Sequence, residues 1–224
     1  MFPLADTAKE KGPRAVTKLL IAVNVVVYGW ELWLWMRGGN GLGAFVSDHS
    51  VVAKRLVSHP LDPGQWWTLV TSQFLHGGLA HLLGNMWFLW IFGGNVEWRL
   101  GWFRYLMFYL FAGIAAALAQ VMAGPFSTAT LLGASGAISG VMGAYLILFP
   151  TSFVLALVPW IVPIMPIPAL LFLPLWFVFQ AYSGIGALLG LGDDGVAWWA
   201  HAGGFLAGVA MVIYAKKARW VSRG

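Results

Sequence analysis

Apolar residues run through this chain in long blocks separated by short polar punctuation. A membrane-crossing helix needs roughly 20 mostly apolar residues. Six blocks fit that need within the error of their ends: Leu19 to Trp35, Leu79 to Gly93, Trp102 to Ala123, Ala134 to Phe149, Ala169 to Leu188 and Val196 to Ala215. They predict an all-α, polytopic membrane protein with six transmembrane helices in a single domain over residues 1–224. Two connections depart from plain links. Residues 37–78 are rich in Trp, Gly and Pro and too long to join two helices simply; they read as a structured external loop, partly embedded in the membrane. The stretch "VPWIVPIMPIP" holds Pro159, Pro163, Pro166 and Pro168, which break any helix ahead of the fifth span, and Pro174 lies inside that span.

Composition strengthens this picture. Hydrophobic residues make up 60% of the 224 and charged residues 9%, against about 25% charged in a soluble domain. The fourteen Trp suit interfacial belts. Cysteine is absent, which excludes disulfide frameworks and Cys-based metal sites. The amino-terminal "MFPLADTAKEKGPRAVTK" is polar and basic, and the apolar run after it is span-length without a small-residue cleavage site, so it reads as a retained first span. The net charge of +5 does not gather on one face, so a nucleic-acid partner is not expected.

Orientation follows the basic residues. With both ends in the cytoplasm, that side holds Lys9, Lys11, Arg14, Lys18, Arg99, Arg104, Lys216, Lys217, Arg219 and Arg223, ten of the thirteen. Arg37, Lys54 and Arg55 stay outside. Residues 1–18 and 216–224 are then cytoplasmic.

Against this apolar background a few polar groups stand out. Polar side chains within a membrane are costly and point to function by default. The second span opens with "FLHGGLAHLLGNMW", holding His76, His81 and Asn85; the fourth begins with "GASGAISG", holding Ser135 and Ser139; the sixth holds His201 in "WWAHAGGFLAG". All lie near the outer ends of their spans. Each has a plain structural explanation beside the functional one. A serine among glycines often bonds back to its own helix. Gly136 and Gly140, like Gly204 and Gly208, form small-residue patterns that let helices approach. A lone His or Asn can be interhelical glue. Together they supply more: a nucleophile needs a base, and a developing oxyanion needs donors. His81 and Asn85, four apart, share one face. The glycines around Ser135, Gly133 among them, free backbone N–H groups at a helix start and let the sixth span come close.

Taken together, "HGGLAHLLGN", "GASGAISG", "AHAGGFLAG" and the "EWRLG" of Glu97 to Gly101 resemble the rhomboid family of intramembrane serine proteases, in the family's order and over nearly the whole chain past residue 60. The resemblance implies a six-helix core and hydrolysis of peptide bonds in the membrane. It assigns Ser135 as nucleophile and His201 as general base, and places His81, Asn85 and the Ser135 N–H at the oxyanion. It implies membrane-spanning protein substrates, no cofactor and no metal, and a bacterial-type member in the cytoplasmic membrane. The fifth span and the loop capping the site are the family's usual gate, so Trp176, Phe177 and Phe179 are expected to pack weakly against the second span. Two positions differ from the family pattern. Thr68 follows Trp67 where an Arg is common, and Ser139 stands where many members carry an aromatic supporting the base. Ser139 is therefore expected either to orient His201, directly or through a water, or to serve only as a small residue for helix packing. A non-catalytic helix-binding relative would lack Ser135 or His201. A small transporter would want charged partners in the spans, where only Glu31 comes near, and the protease scheme gives Glu31 no role.

Overall fold

The computed structural model describes residues 2–8, 12–158, 162–189 and 196–222. Lys9, Lys11 and Arg223 of the basic asymmetry, Pro159 of the proline-rich stretch and residues 190–195 of the loop before the last helix lie outside them. The chain runs β1 (Phe2–Asp6), α1 (Ala15–Arg37), α2 (Gly41–His49), β2 (Val51–Val52), α3 (Ala53–Ser58), α4 (Pro63–Thr71), a short 3-10 turn (Ser72–Phe74), α5 (Leu79–Leu100), α6 (Trp102–Ala123), β3 (Thr130–Leu131), α7 (Ser135–Leu148), β4 (Phe153–Val158), β5 (Val162–Pro168), α8 (Ala169–Leu188) and α9 (Trp198–Lys217). Each apolar block of the sequence is a helix. Four of them, α1, α6, α8 and α9, are by themselves long and apolar enough to cross a membrane. The 14 residues of α7 are fewer than a span requires.

The shortness of α7 goes with its position. Every residue from Gly136 to Tyr145 is buried, as a helix apolar on all sides must be, and α5, α6 and α9 surround it. Close approach rests on glycine. A Cβ on Gly204 would overlap the carbonyl of Gly136, and one on Gly208 would overlap the Gly140 backbone. On the other flank of α7, Cβ atoms at Gly136 and Gly140 would run into Ala116 and Ala112 of α6. The three backbones thus meet across small residues, which replaces the hydrophobic driving force that lipid removes.

One end of the bundle is tied by Glu97, near the end of α5. Its carboxylate accepts from the N–H groups of Val16 (2.9 Å) and Thr17 (2.8 Å) and from the Thr17 hydroxyl (2.8 Å). The first turn of α1 has no side-chain cap of its own, so a neighbouring helix satisfies its orphan donors. The "EWRLG" motif is therefore helix up to Leu100 rather than loop, and the turn falls at Gly101, whose φ of +79° suits glycine. Arg99 Nε donates to the carbonyl of Ser222 (2.9 Å), and the Ser222 N–H returns a bond to Arg99 O (2.9 Å), fastening the chain's end there.

The expectation of an all-α protein fails at this same end. Strands β1, β4 and β5 form an antiparallel sheet in the order β1-β4-β5. The prolines of β5 forbid helix, and they place it at the sheet edge, where a missing N–H breaks no ladder. Residues 2–6, expected as part of a polar segment, form a strand that lies between β4 and α5. Asp6 accepts from Asn95 Nδ2 (2.8 Å) and the Tyr145 hydroxyl (2.5 Å), while Trp87 Nε1 donates to Pro3 O (2.8 Å). Trp87 is ten residues before Glu97, about 15 Å along the helix. The sheet therefore extends from the Glu97 end toward the middle of α5 and bridges α5 to the foot of α8. Asp62 caps α4 by accepting from the Gly64 N–H (2.8 Å), and Thr71 ties α4 to α2 through His49 O (2.7 Å). Thr68 bonds only within its own helix, to Gln65 O (2.5 Å). The β2–β3 ladder joins the 37–78 loop to the segment before α7.

Replacing Gly208 by Val should cost about 2 kcal/mol or more by forcing α7 from α9, and should lower the midpoint of thermal unfolding in detergent. Gly29→Ala, where an added Cβ meets nothing within 4 Å, should leave that midpoint unchanged or raise it.

Candidate functional site

The end of the bundle opposite Glu97 carries the polar groups. Residue 135 opens α7 and residue 201 lies in the first turn of α9, so the glycine contact one turn further in brings the two together. Ser135 Oγ is 2.9 Å from His201 Nε2. The other ring nitrogen, Nδ1, lies 2.8 Å from Gln180 Oε1 on α8. An amide oxygen only accepts, so Nδ1 carries the proton and Nε2 is left to accept from the serine hydroxyl. Trp176 and Trp198 flank the imidazole, each with its ring centre 6.1 Å away.

Ser139 does not reach His201. Its hydroxyl donates to the carbonyl of Ser135, 2.7 Å away and one turn back, as serines in membrane helices commonly do. The contact to His201 Nδ1 comes instead from Gln180. The sequence contained a signal for it: an amide in the apolar run "PLWFVFQAY", four residues after Trp176 and so on the same helical face.

His81 and Asn85 rise from the first turns of α5, beside the start of α7. Gly133 makes this possible. Its φ is +119°, and a Cβ there would sit 2.7 Å from His81 Cε1. Its own N–H donates to Ser72 O (2.8 Å). Gly133 therefore serves the site as space for His81 and not, as expected, as an oxyanion donor. The N–H of Ser135, in the first turn of α7, has no partner within the helix. Asn85 is held from behind. Its Nδ2 donates to His76 Nε2 (3.0 Å), and the His76 backbone N–H donates to both carboxylate oxygens of Glu31 (3.3 and 3.2 Å). The Asn85 amide has a second N–H to offer. Glu31, without a role in the sequence reading, anchors this chain of contacts from α1.

A cavity of about 660 Å³ opens over these groups, with Ser135, His201, His81 and Asn85 on its walls. Trp176 and Phe179 of α8 line it opposite α5. Their ring contacts run to α9 rather than to the second span. Trp176 lies against His201 and Phe205, Phe179 against Trp198, and Phe177 is stacked on Phe205 away from the cavity. Among the described residues no three His, Cys, Asp or Glu side chains converge as metal ligands would.

Comparison with known proteins identifies the family. The family model described as the Rhomboid domain matches residues 63–218. Rhomboid protease GluP of Bacillus subtilis is 36% identical over 142 residues, 61% of this chain and 25% of the relative. Rhomboid protein 1, mitochondrial, of Saccharomyces cerevisiae is 28% identical over 214 residues, 92% of this chain and 55% of the relative. The human presenilin-associated rhomboid-like protein, mitochondrial, is 28% identical over 223 residues, 95% of this chain and 51% of the relative. The chain spans between a quarter and about half the length of these relatives.

Gly133→Ala should displace His81 and suppress labelling of Ser135 by a fluorophosphonate probe. Ser139→Ala, which removes only a bond within α7, should label at the parent rate. Both are read on purified protein whose thermal unfolding is checked in parallel.

Proposed function

The chain belongs to the rhomboid family, and from that premise we propose that it is an intramembrane serine endopeptidase. It cleaves peptide bonds in or next to the membrane-spanning segments of other proteins. The observation that carries this reading is the 2.9 Å approach of Ser135 Oγ to a His201 nitrogen that is free to accept a proton.

The chemistry is acyl transfer by a dyad. Ser135 Oγ attacks the substrate carbonyl carbon as its proton passes to His201 Nε2. The carbonyl oxygen becomes an oxyanion, met by the Ser135 N–H at the positive end of α7, by the second N–H of Asn85 and by His81. The tetrahedral centre collapses, the C–N bond breaks, and His201 gives the proton to the leaving amine. A water then attacks the acyl ester by the same route in reverse. Gln180 does for Nδ1 what a carboxylate does in a triad, without the charge. Donors fixed in advance cost no reorganisation when charge develops, and low polarity around them strengthens each interaction.

The membrane setting follows from the fold. The family and the apolar helices make this an integral membrane protein. Six spans are the count we propose, with α5 and the buried α7 completing the four helices that qualify by length and composition alone. The basic asymmetry supports both termini in the cytoplasm and a site open to the outer face. A bacterial cytoplasmic membrane is the setting we propose, on the likeness to GluP of Bacillus subtilis. A transmembrane substrate would reach the cavity between α5 and α8, past Trp176 and Phe179, and would present an unwound stretch, since a helical peptide bond is shielded.

Ser135→Ala and His201→Ala should each abolish cleavage of a model transmembrane substrate in detergent with folding intact, because nucleophile and base act as a unit. Substantial cleavage by purified Ser135→Ala would refute the mechanism, and would leave a helix-binding relative as the better reading. Asn85→Ala should lower turnover roughly 10²-fold, the usual effect of losing one oxyanion donor, with KM little changed. Phe179→Ala, which thins the α8 wall, should raise turnover of the same substrate in a steady-state assay.

A further inference from the structure

Gln180 is 5% exposed, while its neighbours Val178 and Phe179 are 59% and 58% exposed. The amide thus points inward from a helix whose other side is apolar and open. An inward amide in such a helix is costly without partners, and the hydrogen bond to His201 Nδ1 meets that cost. Among the described residues no other group bonds Nδ1: Ser139 bonds back to Ser135 O, and the Trp176 and Trp198 rings flank the imidazole without fixing which nitrogen bears the proton.

We propose that Gln180 is the positioning residue of the general base and that it makes the seat of α8 a condition of catalysis. This rests on the reading of Ser135 and His201 as nucleophile and base. Neutral imidazole has two tautomers, and only the one with the proton on Nδ1 leaves Nε2 able to take the serine proton. Gln180 Oε1 selects that tautomer. The support comes from α8, the wall opposite α5, and not from α7 or α9, which carry the dyad itself. Packed helices lie about 8–10 Å apart, so an outward displacement of α8 sufficient to seat another helix beside α5 would break a 2.8 Å bond many times over. The base is ordered only while α8 rests against α9. Substrate therefore enters by rearrangement of Trp176 and Phe179 with the α8 backbone held, or α8 returns before the serine is acylated. In either case the dyad is disarmed while the wall is open.

The test uses the full chain in detergent, with Gln180→Leu and Gln180→Glu. Three quantities are read: fluorophosphonate labelling rate, kcat and KM on a model transmembrane substrate, and the ring-nitrogen resonances of His201 in ¹⁵N-histidine-labelled protein, assigned by loss in His201→Ala. Gln180→Leu keeps the volume and removes the acceptor. It should lower both labelling and kcat about tenfold, the worth of one hydrogen bond, with KM unchanged and the His201 nitrogens moving from one tautomer toward a mixture. Gln180→Glu restores an acceptor and should recover the single tautomer and most of the labelling rate, an outcome that a merely structural amide does not produce. Labelling and nitrogen resonances in Gln180→Leu equal to those of the parent would overturn the proposal while leaving the dyad standing. Loss of kcat with the His201 tautomer unchanged would overturn it too. A parent protein that does not label at all would overturn the dyad itself, and this proposal with it.

Discussion

Backbone contact between α7 and α9 is the constraint on which the rest depends. Ser135 stands one residue before Gly136, and His201 three before Gly204, so the carbonyl-to-glycine approach of Gly136 and Gly204 sets how near the hydroxyl comes to the ring. In a bilayer no hydrophobic effect presses helices together, and close packing of small residues has to do that work. Any side chain at this seam would part the helices by more than a hydrogen bond tolerates. The alanines of α6 complete the seam from the other side, so three helices fix one distance.

From that seam outward, Asn85 and His201 are held by partners outside their own helices. Glu31 of α1 holds the His76 backbone, His76 holds Asn85 of α5, and Gln180 of α8 holds His201 of α9. Such cross-element bonds suit a site that must keep donors and acceptors aimed without substrate present, because an unpartnered buried polar group would relax toward any nearby acceptor. They also explain why polar residues survive in spans where hydrocarbon disfavours them. On the proposal that Gln180 positions the base, the departure at Ser139 has little consequence, because Ser139 bonds back to its own helix and the contact to Nδ1 comes from α8.

Much of this was legible in the sequence because a bilayer writes plainly. Apolar blocks gave helix limits close to those of α6, α8 and α9, and polar exceptions within the blocks pointed to Ser135, His201, His81 and Asn85. What stayed hidden depended on which elements face one another. Gln180 carries no charge and belongs to no motif, and only the packing of α8 on α9 turns it toward His201. Gly133 looked like an oxyanion donor until its N–H was found on Ser72 O. The sheet was missed for a different reason. Strands β4 and β5 are apolar on both faces, so they lack the alternation that marks a half-buried strand. The partner of β4 on its other side, β1, lies about 150 residues earlier, where Phe2 to Asp6 read as part of a polar tail.

The two ends of the molecule are built on opposite principles, and the contrast bears on how it works. At the Glu97 end carboxylates close gaps. Glu97 seals the start of α1, Asp6 joins β1 to α5 and α7, and the sheet fills the space between α5 and the foot of α8. At the Ser135 end the same two helices, α5 and α8, stand apart around the cavity, and the α8 wall is lined by the rings of Trp176 and Phe179 together with Gln180. The α7–α9 seam has its backbones already in contact. On the function proposed above, that seam sets the catalytic geometry, α5 and α8 bound the access, and the bond from Gln180 to His201 links the two.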